Sequence, residues 1–501
     1  MKITCQINNK IHNWSIYQWI LLSFVLLLTS CALYGPSYSK PVIDVDSKWV
    51  SKDKIAEVES GVDLSNVAWW GKFNDAQLNG LIESALNNNL NIEMAIGNIL
   101  QAKGILEQVQ MLWVPNVGGQ FSYNSNQQVG AVNNNLTNAN PSLISGTGVN
   151  GYSTGFVPNY SVNIFSQLRS QEAAKAGLMA AQYTKDAVRL TVISQVVGGY
   201  FTLIGQDYQL KIQQELVKDL KQQYDIGLGQ YKLGYISLLA LQTIEQSYYS
   251  AKATIPIIKN NIVQSKNALR VLTNQNPGDI TRTADFMNIT VDGIIPVGLP
   301  SDVLKQRPDI MQAEEQLKQA NANIGVATSS FFPTVSLTGL LGSASPGLNG
   351  LFGANTDFWQ NQIQATMPFL NLSILGQIKG AKGVYYNAYY NYINVVRTAF
   401  SQVDNGLSAH QQLTKSYNIQ NMQYKSTKLG FELGNQRYLE GMDSYSVMLQ
   451  YKITMDNGAL ALINIKQQQL KSIVNLYQSV AGGYNINNTN APKKFNDSHD
   501  S

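Results

Sequence analysis

Gln230-Tyr231-Lys232-Leu233-Gly234 and Arg437-Tyr438-Leu439-Glu440-Gly441 share a pattern, a tyrosine three residues before a glycine, 207 residues apart. Working back toward the N-terminus, Val157-Pro158 through Gln167-Leu168 aligns with Met367-Pro368 through Gln377-Ile378. Farther back still, Leu112-Trp113-Val114-Pro115-Asn116-Val117 aligns with Ser330-Phe331-Phe332-Pro333-Thr334-Val335. The offset drifts from 218 through 210 to 207, as small deletions in the second copy would produce. Self-similarity at a near-constant spacing is the mark of one structural unit used twice. It places a first repeat at 69–280 and a second at 287–485.

Each copy reads as a helix, a pair of strands and two very long helices. Asp75 to Leu112 has helical periodicity and stops before Pro115, whose ring and missing donor end a helix. Gly118 to Gly151 is rich in Gly, Asn, Ser and Thr with aromatics, and Gly151 to Phe165 reads as a strand. Val335 to Ser343 and Phe358 to Leu372 occupy the same places in the second copy. Their weak alternation, with Val335, Leu337 and Gly339 set against Ser336 and Thr338, is that of barrel strands. The strand pairs are flanked by Pro115 and Pro158 and by Pro333 and Pro368, and the polar stretch Gln127 to Asn150 reads as an outward loop.

From Gln167 to Gly229 there is no proline, and a helix of roughly 60 residues spans about 90 Å. Leu203, Leu210, Val217, Tyr224 and Tyr231 form a seven-residue stripe, repeated as His410, Tyr417, Tyr424, Phe431 and Tyr438. The returning helix carries Leu241, Ile244, Tyr248, Ala251, Ile255, Ile258, Ile262, Ser265, Leu269 and Leu272. Spacings of three and four in alternation make a coiled-coil seam, supercoiled to the left. Pro256 lies inside it and predicts a kink or local break.

Four strands cannot close a membrane barrel, and strand edges cannot face lipid unpaired. Several chains must therefore join, and three would supply twelve strands and twelve helices. The predicted fold is mainly α with a small antiparallel β-barrel contribution. It is a tandem-duplicated long-helix α-barrel plus four transmembrane β-strands per protomer, giving a twelve-stranded barrel as a trimer.

The chain of 501 residues is 14% charged with a formal net charge of +4, and no Lys/Arg block forms a stripe, so nucleic acid is not an expected partner. Residues 1–30 read as a lipoprotein signal peptide: Lys2 and Lys10 precede an apolar run from Trp19 to Leu28, then Leu28-Thr29-Ser30-Cys31. That ending resembles a bacterial lipobox, in which Cys31 is acylated after cleavage and the thiol carries the lipid. Cleavage removes Cys5 and leaves no partner for a disulfide. Residues 31–68 read as a lipid-anchored linker, and 486–501 as a polar disordered tail, dispensable after Tyr484. No second apolar run long enough for a transmembrane helix is expected after the lipobox.

Leu299-Pro300-Ser301-Asp302-Val303-Leu304-Lys305-Gln306-Arg307-Pro308-Asp309-Ile310, continuing through Ala320-Asn321-Ala322-Asn323-Ile324-Gly325 to Phe332-Pro333, resembles the TolC-like outer membrane factors. Trp70-Gly71-Lys72-Phe73, Ala85-Leu86-Asn87-Asn88-Asn89-Leu90 and Tyr34-Gly35-Pro36 point to their NodT-type lipoprotein branch. The resemblance implies a homotrimer in the cell outer membrane, lipid-anchored, with a helical barrel in the periplasm. It also implies a periplasmic adaptor and an inner-membrane pump of the resistance–nodulation–division type, and no cofactor beyond the covalent lipid on Cys31.

The adaptor-docking tips are then Gly234 and Ser237 in the first copy, and Arg437, Gly441, Asp443 and Ser444 in the second. Gate candidates are Tyr445, Gln450 and Asp456. Family members often place an acid where Gln450 stands, and Ala240 and Val447 are apolar at another such place, so this chain departs from the acidic-ring pattern. Asp443 and Asp456 read as solvated helix-face charges, Arg307-Pro308-Asp309 as a structural helix start, and His410 as a packed core residue.

Three histidines, no Cys–His pair, no zinc spacing and no phosphate loop or nucleophile elbow argue against an enzyme. The expected function is the exit duct of a tripartite efflux system, passively exporting drugs or other small solutes. A type I protein secretion duct and a pore-less lipid-anchored coiled-coil scaffold are the alternatives.

Overall fold

The computed structural model describes residues 35–43, 64–124, 151–282, 285–289, 307–353 and 356–488. The lipobox with Cys31, the loop 127–150 and the motif 299–306 lie outside the described residues. Two compact units divide the chain, and each draws on both repeats. One comprises Met1–Lys40, Ala102–Leu178 and Gln316–Ala388; the other comprises Pro41–Gln101, Met179–Glu315 and Tyr389–Ser501.

The first unit holds a four-stranded antiparallel sheet: β1 (Asn116–Asn124), β2 (Gly151–Val162), β3 (Thr334–Ser345) and β4 (Asp357–Thr366), in that spatial order. The register pairs Phe121 with Thr154, Tyr160 with Leu337 and Leu337 with Ile363. Because side chains alternate along a strand, this register gathers Val117, Phe121, Tyr123, Phe156, Leu341, Trp359 and Ile363 on one face, all exposed. Gln120, Ser122, Ser336, Gln360, Gln362 and Gln364 fall on the other. There, Ser122 and Ser153 share a hydrogen bond of 2.8 Å across the β1–β2 ladder.

Pro158 lies inside β2 rather than at its border. The β2–β3 ladder runs from Phe156–Leu341 to Asn159–Thr338 and skips the two residues between. A proline has no N–H for the ladder, and its ring needs room on the neighbouring strand. Gly339 supplies that room, since a Cβ there would stand 2.8 Å from Pro158 Cγ. β2 and β4 end sooner than expected, at Val162 and Thr366 against Phe165 and Leu372, while β3 runs on to Ser345. Asn163 stops β2 by accepting from Ser166 N (3.1 Å) and donating to the Ser329 carbonyl (3.1 Å). Past β4, Asn371 accepts from Ser373 N at 3.1 Å, where the next helix begins.

The helices are α1 (Ala76–Asn88), α2 (Leu90–Met111), α3 (Ile164–Lys232), α4 (Leu238–Leu272), α5 (Pro308–Ser329), α6 (Ser373–Leu439) and α7 (Tyr445–Ser479). At 69 residues, α3 is about 100 Å long. The single helix expected from Asp75 to Leu112 is two. Asn89 takes an extended backbone (φ −66°, ψ 126°) and donates its side-chain amide to the Leu272 carbonyl at 2.8 Å. Of the kink or break expected at Pro256, a break does not occur, for α4 runs helical from Leu238 through Leu272. Tyr248 before it and Ile258 and Ile262 after it are buried on one face, which holds the helix together across the missing bond.

The second unit has a continuous apolar core. Val192, Ile193, Val196, Val197, Tyr200, Phe201 and Leu203 of α3 meet Leu470, Ile473, Val474 and Tyr477 of α7. Each such side chain contributes about 1.5–3 kcal/mol by leaving water. One window of α3 is apolar and long enough to cross a membrane, against expectation, but 61% of it is buried in the protein. The Trp69 ring stacks on Tyr477 at 4.3 Å, and Tyr200 donates to the Asp75 carboxylate that caps α1. Arg307 binds the Ser479 carbonyl (2.6 Å), Gln402 (2.8 Å) and Asp309 (2.6 Å), the structural role its position suggested.

The chain end is part of this unit up to Asn488. Arg189 donates to the carbonyls of Tyr484 (2.9 Å) and Ile486 (2.6 Å), and Asn485 N–H reaches the Ser65 carbonyl (3.0 Å). Residues just past Tyr484 are therefore not a loose tail. In the first unit, the early segment is also seated: Arg169 donates to the Gly35 carbonyl (3.2 Å) and Asn321 to that of Pro36 (2.9 Å).

Candidate functional site: two helical tips and the charged contact behind them

The long helices reverse at two turns of nearly identical backbone. Gly234 (φ 77°) and Gly441 (φ 75°) adopt the left-handed conformation that glycine enters without a Cβ penalty. At the first tip Gly234 N–H bonds Tyr231 O (3.0 Å) and Tyr235 N–H bonds Gln230 O (2.8 Å). At the second, Gly441 N–H bonds Tyr438 O (3.0 Å) and Met442 N–H bonds Arg437 O (2.9 Å). This 5→2 and 6→1 pair is a Schellman closure, which satisfies carbonyls otherwise left open at a helix end. Ser237 and Ser444 then cap the returning helices through Ala240 N (3.2 Å) and Val447 N (3.4 Å).

The tips differ in charge. Arg437 holds Asp443 with two hydrogen bonds, Nε to Oδ2 at 2.6 Å and Nη2 to Oδ1 at 3.2 Å. Gln230 and Ile236 stand at the matching places in the first copy, so no such clamp exists there. Hydrogen bonding from Arg437 holds the Asp443 carboxyl below its ordinary value. Asp443 is thus a paired carboxylate, not the freely solvated charge its setting suggested.

Behind the tips, α3 and α7 touch through side chains that bridge the two repeats. The Tyr445 hydroxyl donates to Gln222 at 2.7 Å, and its ring meets Tyr438 edge-on at 5.4 Å. Gln450 accepts from Gln223 at 3.3 Å. Asp456, expected on a solvated face, is 1% exposed. It lies with Lys452 (3.4 Å), which also binds Asp219 of α3 at 2.9 Å. Burial, ahead of any charge, raises Asp456 to about 6. Burial also acts to lower Lys452, but its hydrogen bond to Asp219 and the two carboxylates outweigh it, and Lys452 sits above its ordinary value.

The structure thus brings Tyr445, Gln450 and Asp456 to one interface and the six tip residues to two turns. Asp219, Lys452, Gln222 and Gln223 are partners that the sequence reading did not single out. The available signal was an acid, Asp219, between Leu216 and Leu220 on an apolar stripe, opposite a Lys/Asp pair four residues apart. Among the described residues, no group of three or more His, Cys, Asp or Glu could hold a metal ion.

The chain holds a four-stranded sheet with one largely apolar and one largely polar face, and two helices of 69 and 67 residues that recur in the two repeats. The chain belongs to the outer membrane efflux protein family, whose model matches residues 81–275 and 299–482. It is 28% identical over 476 residues to the probable efflux pump outer membrane protein TtgC of Pseudomonas putida, covering 91% of this chain and 94% of that one. It is 26% identical over 470 residues to the cation efflux system protein CusC of Escherichia coli O157:H7, covering 92% and 97%. Among solved structures, the Campylobacter jejuni CmeC outer membrane channel superposes with a TM-score of 0.76 at 26% identity, covering 90% of this chain and 95% of that one. The open-state MtrE outer membrane channel of Neisseria gonorrhoeae gives 0.75 at 26% identity, covering 90% and 98%. The protein is an outer-membrane efflux channel component.

Proposed function

We propose that three copies of this chain form the exit duct of a tripartite pump, lipid-anchored at Cys31. The observation that carries this reading is the sheet. β1 and β4 end it with open edges, one face is largely aromatic and aliphatic, and the other is mostly Gln, Ser, Thr and Asn with Val157, Leu340 and Phe358 among them. Lipid tolerates no open edge, so β4 of one copy must pair with β1 of the next until the ring closes. The apolar face then meets acyl chains and the amide-lined face meets water. The duct catalyses nothing; energy comes from an inner-membrane pump of the resistance–nodulation–division type, reached through a periplasmic adaptor seated at the tips.

The cargo is a small solute. The relatives' names mention toluene, antibiotics and cations, all of them small solutes. The test is accumulation of a fluorescent pump substrate in the native host, comparing a deletion with the complemented strain. Higher accumulation on deletion, reversed by the intact gene, is the expected outcome. Unchanged accumulation across several dyes and metals would redirect the reading toward protein export.

A further inference from the structure

We propose that Asp219, Lys452 and Asp456 form a proton-binding site between the two repeats, which tightens the contact of α3 with α7 when loaded and relaxes it when empty. The consequence for gating rests on the reading of the tips as the duct's periplasmic end. The proton site itself does not.

The geometry is two carboxylates and one ammonium. Asp456 is 1% exposed and Asp219 7%. Lys452 Nζ stands 2.9 Å from Asp219 Oδ2 and 3.4 Å from Asp456 Oδ2, so one cation serves two acids. Leu216, Leu220, Tyr248, Leu449 and Ile453 form the apolar cluster of the same α3–α4–α7 contact. Two buried carboxylates that share one ammonium carry one negative charge too many for an apolar place, and a proton on Asp456 removes it.

Among the described residues, Lys452 is the cation that pairs with these two acids. The charged groups acting on Asp456 are Lys452 and Asp219, and those acting on Lys452 are the same two acids. From α6, the neighbour is the Phe431 ring, 5.8 Å from Lys452 Nζ. From α4 it is Tyr248, whose hydroxyl accepts from Lys252 at 3.2 Å. Lys221 on α3 is engaged with Asp225.

The sign follows from the direction of the Asp456 shift. Its folded value, about 6, lies above the ordinary 3.8, so the docked helices prefer the protonated acid. The gain is complete below 3.8 and is lost as pH rises through 6. Asp456 lies eleven residues past Tyr445, about 16 Å along α7 from the tip. Acid therefore holds the two hairpins together just behind the tips, and neutral or alkaline conditions free them.

The experiment uses the full-length protein with spin labels on Gln223→Cys and Gln450→Cys, whose native side chains meet across this contact. Spin–spin broadening should be stronger at pH 5 than at pH 8, with a midpoint near 6. In planar bilayers, open probability should fall about tenfold on going from pH 8 to pH 5, the factor for one pH unit of linkage. Asp456→Asn, a neutral isostere of the protonated acid, should give a flat, tight profile, and so should Asp219→Asn. Unchanged midpoint and amplitude in both variants would overturn the site. Should neither variant assemble, a pH-independent wild-type signal overturns it and a midpoint near 6 supports it. Absent conductance with intact label titration would count against the duct and not against the proton site.

Discussion

Arg437 and Asp443 close the second helical tip with two parallel hydrogen bonds of 2.6 and 3.2 Å, while the first tip carries Gln230 and Ile236 at the same places. Hydrogen bonding holds Asp443 below its ordinary value of 3.8, so the clamp is fully formed above that pH and is lost only as pH falls through the lowered value. Arg437→Ala should leave thermal unfolding of the whole protein unchanged, since both groups lie at the surface. Hydrogen exchange should rise at 438–444 and stay constant at 231–237. Equal change at both tips would remove the asymmetry.

The glycines at the two turns make a separable prediction. At φ 75°, Gly441→Val forces a β-branched residue into the left-handed region, at about 1–2 kcal/mol. Gly441→Asn should cost less, because asparagine tolerates that conformation. Crosslinking to the adaptor should weaken in the order valine, asparagine, glycine, and likewise at Gly234. Full crosslinking with normal efflux in the valine variants would take the docking role away from the tips.

Gly339→Val should block the sheet. Its Cβ would meet the Pro158 ring at 2.8 Å, and a proline ring held in a strand cannot turn aside. The expected result is loss of the heat-modifiable band on gels, with helical circular dichroism largely retained. Pro158→Ala in the same chain should restore the band.

A chain stopped after Tyr484 loses the Ile486 carbonyl that Arg189 holds and the Asn485 amide bonded to Ser65. The cut leaves Arg189 a terminal carboxylate at Tyr484, so the loss is that of the Ser65–Asn485 bond and the packing of Ile486, about 1 kcal/mol each. The melting temperature should drop for that truncation and stay constant for one made after Asn488. Equal melting would return these residues to the dispensable tail.

Cys31→Ala should abolish labelling with a radioactive or clickable fatty acid and impair sorting to the outer membrane. Persistent labelling would move the acylation elsewhere.

What the sequence made legible was whatever repeats or punctuates locally. The strand pairs, the long helices and the tips at Gly234 and Gly441 follow from period and from the chemistry of single residues. The errors share a different cause. Asn89 is a tolerable helix residue until the Leu272 carbonyl offers its amide a partner. Pro158 reads as a flank of the strand pair until Gly339 on the next strand makes room for its ring inside β2. Asp456 reads as a surface charge until Asp219 and Lys452 are placed beside it. Each outcome was decided by a residue distant in the chain, so no local pattern could announce it.

The unequal tips also bear on symmetry. A duplicated chain assembled three times would show six hairpins to whatever lies beneath, and with identical copies those six seats would be interchangeable. In such an assembly Arg437 and Asp443 would mark every second seat as charged, leaving Gln230 and Ile236 in the seats between. A partner with six equal subunits would have to dock them in two registers. One with three would find its orientation chosen in advance.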